Sequence, residues 1–295
     1  MIPYQGSKRK IAQELLSHIP SADHFYDLFG GGGAITKAAV ESGRWQTCHY
    51  NEINTGVYEL FKSLCNGTFD FEKARSTWIS RERFFSEKDL PTAWGGYVAT
   101  CWSFGNGLDT YMYGKDKELA KLLMFALVNY DNPYFPNTTQ NDRRLLLQRA
   151  VKSLANNGIQ IDKSQYSLES LYGIQNLTRL QSLENLTESV SVLSTVTTTN
   201  CDYKQVEIAP NSVVYCDIPY HGGGADPKSY NITFNHNEFL NWAATSDVPT
   251  YVSEYEITDP RFKCLWEKDV RSTFSAQSNT TSRTERLYWN GVSAG

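Results

Sequence analysis

Two short segments of the 295-residue chain carry residue types suited to chemistry as well as packing. The first, Val213-Val214-Tyr215-Cys216-Asp217-Ile218-Pro219-Tyr220, is an apolar run that ends abruptly in an acid, a proline and an aromatic ring. Pro219 restricts Ile218 to extended backbone and fixes where its carbonyl points. Asp217 and that carbonyl then offer two acceptors side by side. An amine conjugated to an aromatic ring is a poor nucleophile, because its lone pair is delocalised. Two acceptors on its hydrogens favour the pyramidal, electron-rich form that attacks, and Tyr220 supplies a flat face for the ring. Out of context, the same tetrapeptide reads equally as a strand ending in a proline turn with a packed tyrosine.

The second segment, Asp27-Leu28-Phe29-Gly30-Gly31-Gly32-Gly33, reads as a strand running into a glycine turn, the place where open α/β sheets bring backbone close to a ligand. A dinucleotide fingerprint needs a further glycine at position 35 or 36, where the chain has Ile35 and Thr36, so that reading loses ground. Glu52, some twenty residues on, suits an acid that holds ribose hydroxyls. Its alternative is a surface carboxylate in a loop.

These residues need elements to hold them. Ile11, Leu15, Leu16 and Ile19 recur near helical spacing before Pro20, after a turn at the start of the chain. Residues 24–29 read as a strand, 34–42 as a helix and 46–51 as a second strand, a unit that implies parallel strands and a right-handed crossover. Strand signals return at 191–199, 213–217, 250–254 and around 287–290. From about 55 to 185 helical patterns dominate, as in 117–128 and 168–186, where the spaced leucines keep no heptad register and read as core. The pattern predicts one doubly wound sheet built from residues 1–55 and 189–295, interrupted by a mainly helical domain at 56–188.

Composition narrows the class of protein. The formal net charge of -4 argues against coating nucleic acid by charge alone. A local basic face remains open among Lys8, Arg9, Lys10, Arg143, Arg144, Arg271, Arg283 and Arg286, as do ordinary solvated charges. The six cysteines form no CxxC pair and have no neighbouring histidines at ligand spacing, so they read as reduced, mostly buried thiols with neither disulfide nor zinc. The start of the chain lacks a signal core, and no apolar run has the length to span a bilayer. A cytoplasmic protein without membrane attachment is expected, in which Asn-x-Thr triplets such as those at Asn137 and Asn279 carry no glycan.

With both segments in view, nearly the whole chain resembles the Dam-type DNA N6-adenine methyltransferases, particularly their phage-like branch. The resemblance implies a class I methyltransferase fold, Rossmann-like and doubly wound, with an inserted helical target-recognition domain at 56–188, and S-adenosylmethionine as cofactor. Tyr4-Gln5-Gly6-Ser7-Lys8 is similar to the family's aromatic-x-G-x-K element, which implies that Tyr4, Gly6 and Lys8 help enclose the cofactor. Asp27, Phe29, Gly30 and Gly32 lie in the segment similar to the motif that touches its methionine part. Glu52-Ile53-Asn54 resembles the family's D-I-N, with Glu52 on the ribose and Ile53 against the adenine of the cofactor. Asp202-Tyr203 is similar to its D-F pair, with Asp202 on the adenine amine.

Asp217-Ile218-Pro219-Tyr220 resembles the catalytic D-P-P-Y, with Ile218 replacing a proline whose main-chain carbonyl is the group required. Segments 101–106, 111–115, 253–255 and 283–287 also resemble family elements. The resemblance implies direct transfer of the sulfonium methyl to adenine in double-stranded DNA, by a monomer needing no metal. The base is flipped out at a cost of about a few kcal/mol. Arg143, Arg144, Tyr230 and Arg283 are expected to contact the DNA, and the glycine-rich loop 221–230 to move as it binds. A cytosine 4-amino group or RNA as acceptor, or a non-catalytic cofactor-sensing module, are the readings that compete. Whether the enzyme stands alone or beside a restriction nuclease is open.

Overall fold

The computed structural model describes residues 1–115, 117, 118, 121, 183, 193–220, 234–271 and 282–293. Seven strands form one sheet in the order β3-β2-β1-β4-β5-β7-β6. They are β1 (His24–Asp27), β2 (Thr47–Asn51), β3 (Thr197–Thr199), β4 (Ser212–Asp217), β5 (Thr250–Glu254), β6 (Lys263–Arg271) and β7 (Ser282–Trp289). The first five run parallel, and β7 is antiparallel to both of its neighbours. With β2 on one side of β1 and β4 on the other, the order reverses between β1 and β4. A doubly wound sheet opens its ligand crevice at that switch, beyond the carboxyl ends of the strands.

Strand alternation sorts the core onto two faces. Phe25 of β1 and Val213 and Tyr215 of β4 pack with Ile11, Leu15, Leu16 and Ile19 around α1 (Ala12–Ser17), and with Ile35 and Ala39 of α2 (Ala34–Ser42). Tyr26, Val214 and Cys216 face the other way, against Phe239 and Ala243 of a helix at His236–Thr245. The end of α1 is closed by Arg44, whose guanidinium donates to the carbonyls of Leu16, at 2.6 Å, and of Ile19.

A third core joins the sheet edge to helices α3 (Thr55–Cys65), α4 (Phe71–Ser76), α5 (Arg81–Glu87) and α6 (Ala93–Cys101). Numbering in chain order makes His236–Thr245 α7. Tyr50 of β2 stacks on Phe61 of α3 with centroids 3.9 Å apart. α3 and α6 cross with their backbones almost touching, since a Cβ on Gly96 would lie 2.0 Å from the Gly56 carbonyl oxygen. Only glycine fits there. The buried Leu183, one of the spaced leucines, belongs to this core.

Several boundaries differ from the sequence pattern. β1 ends at Asp27, before Leu28 and Phe29, and the described part of the 191–199 signal is a strand only over Thr197–Thr199. The terminal strand is longer than 287–290, because β7 begins at Ser282 and pairs with β6. β6 went unsignalled for a physical reason: an edge strand with an exposed, charged run needs only backbone pairing, and so shows no apolar alternation. Arg143, Arg144, Tyr230, loop 221–230 and most of the helical patterns at 117–128 and 168–186 lie outside the described residues. Among the described residues, no helix is long and apolar enough to cross a membrane, and no group of His, Cys, Asp and Glu has the geometry of a metal site.

Candidate active site

The glycine turn joins the end of β1 to α2. Gly33 sits at φ 72° as the residue before the helix, and a Cβ there would meet the Phe61 ring at 2.3 Å. The left-handed backbone and the close ring both require glycine. Tyr4 lies against the same turn, with its ring 3.1 Å from where a Cβ on Gly31 would be.

Three acids close strands or loops along this edge. Asp27, 2 % exposed, accepts the backbone N–H of Thr36 at 3.2 Å and its hydroxyl at 2.7 Å, both on Oδ2. Its Oδ1 is buried without a hydrogen-bond partner. Burial pushes the Asp27 carboxyl up to about 7, and the charges of Asp217 and Glu52 push the same way, against the bonds from Thr36. Glu52, just past β2, accepts from Gly31 N–H and Asn54 N–H, each at 2.8 Å. Burial still holds its carboxyl above the ordinary value.

Asn51 ties the loops together, donating to the carbonyls of Leu28 and Cys201 and accepting from the Thr199 hydroxyl. Asn200 donates to the Glu52 carbonyl at 2.6 Å. Ile53, 46 % exposed beside Glu52, is an apolar face turned to solvent. Asp202 accepts Lys204 N–H at 2.9 Å, and the Tyr203 ring packs on Phe29 and Trp242.

The second half of the edge is the corner after β4. Lys8 is buried, with Nζ 2.9 Å from Asp217 Oδ1 and 3.3 Å from Glu285 Oε1, and it donates to the Gly6 carbonyl at 3.1 Å. Burial works to lower the Lys8 ammonium, but the pull of Asp217 and Glu285 outweighs it and holds the group above its ordinary value. Burial raises the Asp217 carboxyl and Glu285 adds to the rise, with Lys8 opposing. Asp217 still keeps 22 % of its side chain exposed.

Tyr220 donates its hydroxyl to Glu285, has Lys8 Nζ 4.6 Å from its ring centroid, and meets Tyr255 edge-on at 4.5 Å. Arg283 reaches the Tyr255 hydroxyl at 3.2 Å, and Arg286 donates to the Tyr255 carbonyl. His236 donates Nε2–H to the Pro219 carbonyl at 2.6 Å, which pins the proline turn to the start of α7.

The fold thus draws Tyr4, Gly6, Lys8, Asp27, Gly30, Glu52, Ile53, Asp202 and Asp217 to one edge of the sheet, from segments more than 200 residues apart. Lys8, grouped by sequence with Arg9 and Lys10 as a basic face, instead lies buried between two carboxylates, while Arg9 and Lys10 are exposed. Glu285, Tyr255 and His236 carry no assigned role at the level of sequence. Tyr255 and Glu285 lie in segments that resemble family elements and His236 in none, but residue order assigns none of the three a task, because their partners are the far-off Tyr220, Lys8 and Pro219.

A parallel sheet with its switch between β1 and β4, closed by an antiparallel β7 and ending in acids along the ligand edge, defines a methyltransferase of the Rossmann-like class. The chain belongs to the D12 class N6 adenine-specific DNA methyltransferases, whose family model matches residues 4–240. It is therefore an enzyme that methylates adenine in DNA. That range takes in every segment from Tyr4 to Tyr220 described above and ends within α7, short of Tyr255, Arg283 and Glu285. No curated protein matches the chain.

Proposed function

We propose that the chain transfers the methyl group of S-adenosylmethionine to the N6 amine of an adenine flipped out of duplex DNA, with the corner Asp217-Ile218-Pro219-Tyr220 as its reacting site. The single observation that carries this reading is the meeting, on adjacent parallel strands, of a buried acid lacking one partner and a half-open acid followed by a proline-fixed carbonyl.

The residues present fit the cofactor. The unpartnered Oδ1 of Asp27 suits a cationic group, and each Glu52 oxygen, accepting one N–H, keeps a lone pair for a ribose hydroxyl. Ile53 offers apolar contact and Asp202 an acceptor to the adenine ring, Phe29 and Tyr203 form an aromatic wall, and Tyr4 with Gly6, Gly30 and Gly32 shapes the turn. When bound, the cofactor supplies an electrophilic methyl on a sulfonium.

The chain's own residues do the rest. Asp217 and the Ile218 carbonyl accept hydrogen bonds from the two N–H groups of the amine and hold it pyramidal; as the nitrogen–methyl bond forms the methyl–sulfur bond breaks to a thioether, and the methylated amine then releases one proton through Asp217 to solvent. Asp217 also faces the positive charge that grows on the amine, and an interaction of that kind strengthens as the bound base displaces water from the corner. Tyr220 stacks on the base, recovering part of the few kcal/mol or so that unstacking costs. His236 and Pro219 fix the turn. We assign target recognition to a helical domain at 56–188, and contacts with DNA to Arg143, Arg144, Tyr230 and Arg283, in an enzyme acting as a monomer. Lys and Arg contacts to phosphate set the register, and side chains on base edges set the sequence read.

The test is transfer of labelled methyl from S-adenosylmethionine to duplex DNA, with nucleoside analysis by mass spectrometry and with 2-aminopurine fluorescence at the target base. Label in 6-methyladenine with a rise in fluorescence supports transfer to a flipped base. Label without any fluorescence change on duplex would leave the donor standing and remove the flipping step.

A further inference from the structure

Glu285 lies beyond the family-matched residues, yet both Lys8 and Tyr220 are tied to it. It sits on β7, 5 % exposed. Its Oε1 accepts the Tyr220 hydroxyl and lies 3.3 Å from Lys8 Nζ. The three hydrogens of the Lys8 ammonium have three acceptors: Asp217 at 2.9 Å, the Gly6 carbonyl at 3.1 Å and Glu285.

Formal charge makes the arrangement informative. A Lys8–Asp217 pair alone would be neutral and would present little field to the positive charge growing on the amine. With Glu285 sharing the same ammonium, one cation stands between two carboxylates and the corner stays net negative. Buried charges act on each other far more strongly than exposed ones, so the difference bears on the transition state. The same carboxylate sets the ring that stacks on the base. Tyr220 is held by its hydroxyl on Glu285, by the edge of Tyr255 and by Lys8 over its face.

Resting on the reading of Asp217 as acceptor of the amine, we propose that Glu285 is a positioning residue of the transfer step. Its second carboxylate beside the Lys8–Asp217 pair leaves the corner with net negative charge, and it fixes the Tyr220 ring through the hydroxyl.

Glu285→Gln tests the charge while keeping an acceptor for Tyr220. Assayed with duplex DNA and S-adenosylmethionine, its kcat is expected to fall on the order of a hundredfold, with KM for both substrates little changed. Adding Lys8→Met to that variant removes the remaining cation and returns the corner to net negative charge. At saturating cofactor, the Lys8→Met/Glu285→Gln enzyme is expected to recover roughly tenfold in kcat over Glu285→Gln alone. A role confined to holding the fold predicts the opposite sign, since a second buried substitution would only add damage.

Wild-type kcat in Glu285→Gln, or a double variant slower than the single one, overturns the proposal. Should circular dichroism show Glu285→Gln unfolded, Tyr220→Phe carries the test of the ring-holding half, because it keeps the ring and removes the hydroxyl that Glu285 holds and that also faces Asp217. Reduced kcat at unchanged KM supports the positioning role, and wild-type kcat overturns it. Asp217→Ala assayed alongside keeps the two ideas apart. An active Asp217→Ala enzyme overturns the acceptor reading itself, whereas an inactive one beside a fully active Glu285→Gln overturns only the role of Glu285.

Discussion

Asp27 and Asp217 end neighbouring parallel strands and are both burdened by burial, but the protein treats them differently. Asp27 is satisfied on one oxygen by the backbone and hydroxyl of Thr36, its other oxygen is left bare, and no cation stands beside it among the described residues. Asp217 has a lysine at 2.9 Å, and that lysine is shared with a second carboxylate. In the proposed function, one acid receives its positive partner from outside, and the other brings a partner that competes with what the site binds. The first arrangement suits a cofactor that stays through the reaction, and the second a charge that appears only in the transition state.

The largest effect is expected at Asp217. Replacing it by alanine removes the proposed acceptor of the amine, and methyl transfer is expected to fall by about a thousandfold while calorimetry still registers cofactor binding. Retained turnover would mean that the reacting corner lies elsewhere. Lys8→Met leaves Asp217 and Glu285 facing each other without their cation. Losing one partner of a buried ion pair costs several kcal/mol, and because Asp217 is 22 % exposed the low end applies, about 3 kcal/mol in urea unfolding. Stability equal to wild type would show that the two acids do not depend on the lysine.

Asp27→Asn sharpens the other half. It removes a charge that would face a cationic ligand group, so affinity for S-adenosylmethionine should drop roughly tenfold or more. The same variant reports on pH. A carboxyl raised in the folded state from 3.8 to about 7 contributes stability that is fully present below 3.8 and is lost as pH rises through about 7. The ligand-free protein should therefore lose stability across that window, and Asp27→Asn should lose less. Identical pH slopes in the two proteins would place the cost of burial on another group. The smallest effect is expected at His236→Ala, where loss of the bond to the Pro219 carbonyl should cost about 1 kcal/mol of stability. That variant should slow transfer more than it weakens cofactor binding, since the bond pins the corner and not the glycine turn.

Much of this was legible in residue order because it is local. A proline restricts the residue before it, four consecutive glycines permit a turn that no other residues allow, and the alternating faces of β1 and β4 sort their own side chains to opposite sides of the sheet. The pairing of β1 with β4, 188 positions apart, is not local: apolar runs mark both as buried strands but do not say which strand lies beside which. β6 was not legible, because an edge strand can form on backbone hydrogen bonds alone.

The acids, the glycine turn and the Asp-Ile-Pro-Tyr corner can be read from residue order, since they depend on backbone restriction within a few residues. That Lys8 is a buried counter-ion and not part of a phosphate-binding face, and that Glu285 stands opposite it, follows from folding alone. Electrostatic coupling depends on distance in space, and nothing in the order of residues records that positions 8, 217 and 285 meet within one hydrogen-bonded cluster.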